Sequence, residues 1–163
     1  MTITFRYATK EDARAIGDFQ RAQGYHWNIW REEVIARYLP FKHVHVLVAE
    51  EAGKMLGFVH WVEGSDVDGP VWHYVGAIVK EIVSPSATRL NVLDALSLRF
   101  GKAMGNIGRW KHEASKDDLE GIAYARMVAP TSETVAGNRH IFEGNTAATY
   151  AYIEPRVPTE LRP

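Results

Sequence analysis

The chain has 163 residues, 46% hydrophobic and 24% charged, with a formal net charge of −1 and no cysteine. That size and balance predict one soluble globular domain, 1–163, with enough chain to bury a core. They exclude the basic field of a nucleic-acid binder, disulfides, a cysteine nucleophile and thiolate metal sites, and they suit a reducing, cytoplasmic setting. No apolar run approaches the ~20 residues of a membrane span, and MTITFRYATKEDA has no apolar stretch of signal-peptide length.

Ile3, Phe5 and Tyr7 alternate with polar residues and predict a strand. Thr9 with Asp12 three residues on is a capping-box start for a helix through Ala13, Ile16, Phe19 and Gln20. An aromatic connection, Tyr25 to Trp30, leads to a second helix over Arg31 to Leu39, stopped by Pro40. Residues 44–50 and 55–63 predict two strands of a hairpin around Glu51-Ala52-Gly53-Lys54, and 64–70 reads as a polar loop. The β-branched run 75–83 predicts a central strand. Residues 88–104 predict the longest helix, with Leu90, Leu93 and Phe100 at helical spacing. Residues 105–121 are charged and glycine-punctuated. Beyond them, 122–128 reads as a strand that should run parallel beside 75–83, 132–139 as a weak helix and 147–153 as a last strand. Strands with helices between them predict an α/β, or mixed α+β, layer fold: a mostly antiparallel central sheet with helices on both faces. A strand that turns at Ser84-Pro85-Ser86 into a helix N-terminus is also a place where unpaired N–H groups and the helix dipole attract an anion.

Over its first two-thirds the chain resembles the GNAT superfamily of N-acetyltransferases. ITFRYATKEDARAI resembles the first strand and helix of that family, HVLVAEEAGKMLGFVHWVE its hairpin, and IVSP followed by Arg89 the end of its fourth strand and the start of its CoA loop. The resemblance implies the acyl-CoA N-acyltransferase fold, with acetyl-CoA as co-substrate and an amine of a small molecule or protein as acceptor. One departure stands out. The family's loop carries glycines after the Arg/Gln, whereas here Arg89 is followed by Leu90-Asn91-Val92-Leu93-Asp94. Glycines let backbone N–H groups close around a pyrophosphate, so their loss opens an alternative reading: a non-catalytic GNAT-like binding or inhibitory module.

The resemblance places cofactor contacts at Ile82, Val83, Ser84, Ser86, Thr88, Arg89, Leu90 and Asn91. Against this, Ser84, Ser86 or Thr88 could merely cap a helix. Glu81, an acid inside an apolar strand, is the expected general base, since desolvation would raise its pKa into a working range; the alternative is an ion pair with Lys80 or Arg126. A bulge near Gly76 would change the face on which Glu81 lies. Tyr150 and Tyr152, sharing one face of a last strand, are the expected general acids, with Tyr124 as rival and core packing as the plain alternative. Tyr25, His26, Trp27 and Trp30 sit where the family builds its acceptor wall. His43 and His45 share a strand face but lack a third ligand at known spacing, so no metal site is expected.

Overall fold

The structure, a computed structural model, describes residues 2–23, 32–80, 87–103, 108–128 and 130–163. In chain order the elements are β1 (Ile3–Tyr7), α1 (Ala13–Ala22), α2 (Glu32–Tyr38), β2 (Val44–Glu51), β3 (Lys54–Asp66), β4 (Gly69–Val79), α3 (Arg89–Ala103), β5 (Arg109–Ser115), α4 (Leu119–Met127), β6 (Ser132–Ala136), β7 (Arg139–Asn145) and α5 (Thr146–Ile153). Among the described residues the sheet has seven strands in the order β1-β2-β3-β4-β5-β7-β6. All neighbours are antiparallel except β4 and β5, which are parallel.

Local chemistry accounts for much of this. Thr9 and Asp12 form the predicted capping box, with the Thr9 N–H donating to Asp12 Oδ2 at 2.8 Å. The two-residue turn between β2 and β3 places Ala52 at φ 51° and Gly53 at φ 72°, the left-handed pair that matches strand twist. The predicted polar loop at 64–70 is instead the tip of a second hairpin. There Asp66 pairs with Gly69, and the Asp68 N–H donates to Asp66 Oδ1 at 2.9 Å.

The helices cover both faces, as expected. On one, α1 and α2 bury Ile16, Phe19 and Ile35 against Val46, Val48 and Phe58. On the other, α3 buries Val92, Leu96 and Phe100 against Leu47, Val59, Trp61 and Trp72. Trp61 is fully buried and meets the Phe100 ring edge-on at 4.6 Å, and with Trp72 and Trp110 it makes three of the five tryptophans core. The final turns strap α3, with Arg99 donating to the carbonyls of Leu161 and Arg162. No helix among the described residues is long and apolar enough to cross a membrane.

The C-terminal third departs from the sequence expectation. Residues 122–127 lie in α4 and Val128 caps it, so 122–128 is not a strand: Asp118 Oδ1 accepts from the Gly121 N–H and starts a helix that an apolar run of that length fits equally well. The strand beside β4 is β5, in the stretch read only as charged and glycine-punctuated. Residues 132–136 form β6, paired with β7, and are not helical. Residues 147–153 lie in α5, where Asn145 Oδ1 accepts from the Ala148 N–H, so the Tyr/Ala alternation there is not that of a strand.

Candidate active site

β4 and β5 are hydrogen-bonded only briefly. Their register runs Trp72–Trp110, His73–Lys111 and Tyr74–His112, while β4 continues to Val79 and β5 to Ser115. On its other side β4 carries a bulge. Tyr74 pairs with Trp61 and Gly76 with His60, so Val75 is an extra residue between two pairs of the ladder. The expected register change near Gly76 is therefore present, and it falls one residue beyond the point where the sheet opens. Bulges re-aim the backbone, and here the re-aimed backbone borders the gap.

A cavity of about 480 Å³ occupies this opening. It is lined by α3 (Arg89, Leu93, Ser97, Phe100), by α4 (Glu120, Tyr124), by the diverging strands (Tyr74, Val75, His112) and by buried side chains under α1 and α2.

His112 stands where the strands part. Its Nδ1 is 2.8 Å from the Tyr74 carbonyl oxygen, which can only accept, so Nδ1 carries the proton and Nε2 keeps its lone pair. Burial pushes its pKa below the ordinary 6.5, outweighing that bond, and keeps the ring neutral. The Tyr74 ring meets the imidazole edge-on at 5.2 Å and fixes its plane.

Tyr124 lies on the α4 wall. Its hydroxyl is 3.0 Å from both Asp94 Oδ1 and Ser97 Oγ on α3. Burial is the main cause that holds this phenol well above its ordinary pKa of 10. Asp94 is itself buried, which raises its pKa against the bonds from Tyr124 and from Arg156 Nε at 3.1 Å. A phenol held this way ties α3 to α4; giving up its proton would place a second anion beside Asp94.

At the mouth, Thr88 and Asn91 cap each other: the Thr88 N–H donates to Asn91 Oδ1 at 3.1 Å and the Asn91 N–H to Thr88 Oγ1 at 3.2 Å. Both side chains serve the helix start, which is the plain capping role. Arg89 NH2 reaches Glu120 Oε2 at 2.9 Å, joining the first turns of α3 and α4. The glycine-free segment is thus the first turns of α3. Val92 and Asp94 point into the core, Leu93 lines the cavity, and Leu90 lines it while 41% exposed.

The other expected residues divide as follows. Glu81, Ile82, Val83, Ser84 and Ser86, and the acceptor-wall residues Tyr25, His26, Trp27 and Trp30, lie outside the described residues. Tyr150 and Tyr152 do not share a face: two positions on a helix lie about 200° apart. Tyr150 lines the cavity, whereas Tyr152 is exposed and accepts from Arg156 NH1 at 3.1 Å. Among the described residues no cluster of His, Asp or Glu could hold a metal ion. The residue that sequence reading missed is His112. A signal existed in RWKHEAS, where Trp110, His112 and Ala114 alternate with Lys111 and Glu113 at strand period.

No protein-family model and no curated protein sequence matches the chain. Solved structures do match it in shape. PaiA N-acetyltransferase from Thermoplasma acidophilum, solved with coenzyme A, superposes with a TM-score of 0.70 at 16% identity, over 89% of this chain and 99% of that one. An acetyltransferase of the GNAT family from Streptococcus pneumoniae gives 0.63 at 11% identity, over 88% and 98%. Arabidopsis thaliana NAA60, solved with a bisubstrate analogue, gives 0.65 at 11% identity, over 88% and 99%. The chain carries the GNAT N-acetyltransferase fold.

Proposed function

We propose that this protein is an N-acetyltransferase that takes the acetyl group of acetyl-CoA to an amine of a small molecule or a protein. The observation that carries the reading is His112, neutral and of fixed tautomer, with its Nε2 lone pair free of the Tyr74 bond at the opening between β4 and β5. Likeness in shape to acetyltransferases, one of them holding coenzyme A, supports the co-substrate.

The residues present fit such a ligand. β4 runs on from Tyr74 to Val79 without β5 beside it, which leaves a backbone edge for the amides of a pantetheine arm. Arg89 and the first turn of α3 offer charge and dipole to phosphates. When bound, acetyl-CoA supplies a thioester carbonyl and a thiolate leaving group. The chain supplies the rest. His112 Nε2 takes the proton that the amine loses as its nitrogen bonds to the carbonyl carbon. As the C–S bond breaks, the same nitrogen returns that proton to the sulfur, so one imidazole carries it from N to S. The carbonyl oxygen would need a donor as it gains charge, and the main-chain N–H groups of β4 beyond Tyr74, where β5 is not paired, would supply one. Tyr124 ties α4 to α3 beside the cleft.

The test is titration calorimetry with CoA, then acetylation of an amine panel followed by mass spectrometry. Heat on CoA addition and turnover that falls in His112→Gln are expected. Turnover lost in Glu81→Gln but kept in His112→Gln would move the base to Glu81. The Arg89–Glu120 pair and the Thr88–Asn91 box use up polar groups at the mouth, which favours the second reading, a binding module without CoA chemistry; absence of both CoA heat and turnover would overturn the first reading in its favour.

A further inference from the structure

A carboxylate lies inside the α3–α4 wall and takes no part in the proton transfer at His112. Asp94 is 1% exposed, and its two oxygens have separate partners. Arg156 Nε donates to Oδ2 at 3.1 Å. That guanidinium is itself held, with NH1 3.1 Å from the Tyr152 hydroxyl and NH2 3.5 Å from Met127 Sδ. Burial raises the Asp94 pKa, while the bonds from Tyr124 and Arg156 favour the carboxylate. On the other side, the Tyr124 hydroxyl is 3.0 Å from Asp94 Oδ1 and 3.0 Å from Ser97 Oγ.

Tyr124 has one proton for these two contacts. A carboxylate can only accept, so the Tyr124 proton goes to Asp94, and the bond with Ser97 is made by the Ser97 proton. Both hydroxyls therefore point one way, from Ser97 to Tyr124 to Asp94. Each bond of such a chain polarises the next, and the group at its far end is left with lone pairs alone. That group is Ser97 Oγ. Ser97 is 8% exposed and lines the cavity with Leu93 and Tyr124, which are only partly buried.

Resting on the acetyltransferase reading, we propose that Ser97 Oγ is a hydrogen-bond acceptor for a ligand N–H, and that Asp94, Arg156 and Tyr124 are positioning residues that turn it that way. The N–H belongs to the acceptor amine or to an amide of the CoA arm. One consequence concerns the leaving thiolate. Tyr124 has given its proton to Asp94, so it holds the wall together and does not protonate the sulfur, and that step falls to His112.

The test uses the full chain, with CoA for calorimetry and acetyl-CoA with phenylethylamine, spermidine and kanamycin for turnover. Ser97→Ala removes the acceptor. One ligand should then bind about three- to tenfold more weakly, with kcat within about threefold of wild type. A raised CoA Kd assigns the N–H to the CoA arm; a raised KM for the amine at unchanged CoA Kd assigns it to the amine. Ser97→Thr keeps the hydroxyl and should restore the affinity. Asp94→Asn turns its amide oxygen to Arg156 and its NH2 to Tyr124, which reverses the chain, and the same constant should rise at least as far. If Asp94→Asn does not fold, Ser97→Ala against Ser97→Thr decides. Infrared difference spectra at pH 7 between the wild type and Asp94→Asn should show the loss of a carboxylate band. Loss of a carboxylic-acid band instead means that the chain runs the other way and overturns the proposal. So does a kcat about 10²-fold lower in Tyr124→Phe, since Tyr124 would then be a proton donor. If no amine is acetylated but CoA binds, and binds more weakly in Ser97→Ala and not in Ser97→Thr, the Ser97 assignment stands and the acetyltransferase reading falls. Constants unchanged in Ser97→Ala overturn the proposal, and turnover in that variant keeps the reading. If neither CoA binding nor turnover appears, both fall.

Discussion

The bonded and the open parts of the β4–β5 pair are built from adjacent residues of the same two strands, yet they do opposite work. Below the opening, Trp72, His73 and Tyr74 are bonded to β5, and β5 is itself braced from beneath. Trp110 lies over Gly144 of β7, where a Cβ would overlap its indole, and Trp110 Nε1 donates to Thr149 Oγ1 of α5 at 2.9 Å. Above it, the Val75 bulge turns β4 away and the gap is filled by cavity instead of side chains. The lesson is that the opening depends on the rigidity of what is closed. His112 is the last residue of β5 paired with β4, which sets its ring at the edge of the opening and within reach of the Tyr74 carbonyl that fixes its tautomer.

The sharpest way to break this contrast is at the dividing residue. His112→Gln keeps a side chain that can donate to the Tyr74 carbonyl but has no basic nitrogen. Turnover should fall by about 10²–10⁴-fold, with the melting temperature and CoA affinity close to wild type. A wild-type kcat in that variant would remove His112 from the chemistry.

Next in size is the brace. Gly144→Ala forces Trp110 aside and should cost about 1–3 kcal/mol, a fall of about 2–12 °C in Tm for a domain of this length. If the variant melts like the wild type, the lower half is not the rigid part.

A third test concerns His60, which pairs with Gly76 just past the bulge. Burial, with a smaller contribution from His45, holds its pKa at about 3 in the fold, against 6.5 when unfolded. The unfolded chain therefore binds the extra proton between those values. The stability tied to neutral His60 is complete above pH 6.5 and is lost as the pH falls toward 3. Melting curves from pH 7 to 4 should slope downward in the wild type and less steeply in His60→Gln; identical slopes would show that His60 is not buried neutral.

The smallest effect is expected at the mouth. An exposed pair such as Arg89–Glu120 is worth about 0.2–1 kcal/mol. Freeing Arg89 by Glu120→Gln should tighten the CoA Kd up to about fivefold, most at low salt, whereas Arg89→Ala should weaken it. Unchanged Kd in both variants would place the phosphates elsewhere.

The N-terminal half was legible, apart from the second hairpin whose tip reads as a loop at 64–70, because its signals are local. The Thr9–Asp12 box, the Ala52-Gly53 turn and the alternation of Val44, Val46 and Val48 each act within a few residues. The helix α3 was legible for the same reason, from its repeat of apolar residues. The C-terminal third was not. Residues 122–128 and 147–153 are short apolar runs that suit a strand or a helix, and the choice rested on single caps, Asp118 and Asn145. Reading α5 as a strand also put Tyr150 and Tyr152 on one face, when the helix sends them to opposite sides.

What the amino-acid sequence determined by itself was the class of fold: a hairpin-rich sheet, a strand-to-helix junction at its centre and helices enough to cover both faces. Local propensity and hydrophobic period fix such elements over a few residues. What only the tertiary structure decided was the site. The Tyr74 carbonyl and His112 are 38 positions apart in the chain, and the residues that line the cavity run from Ile16 to Ile153. Their chemistry comes from burial and from one parallel pairing that stops after three residues. Neither depends on a neighbour in sequence, because desolvation and strand register are properties of the packed sheet and not of any segment within it.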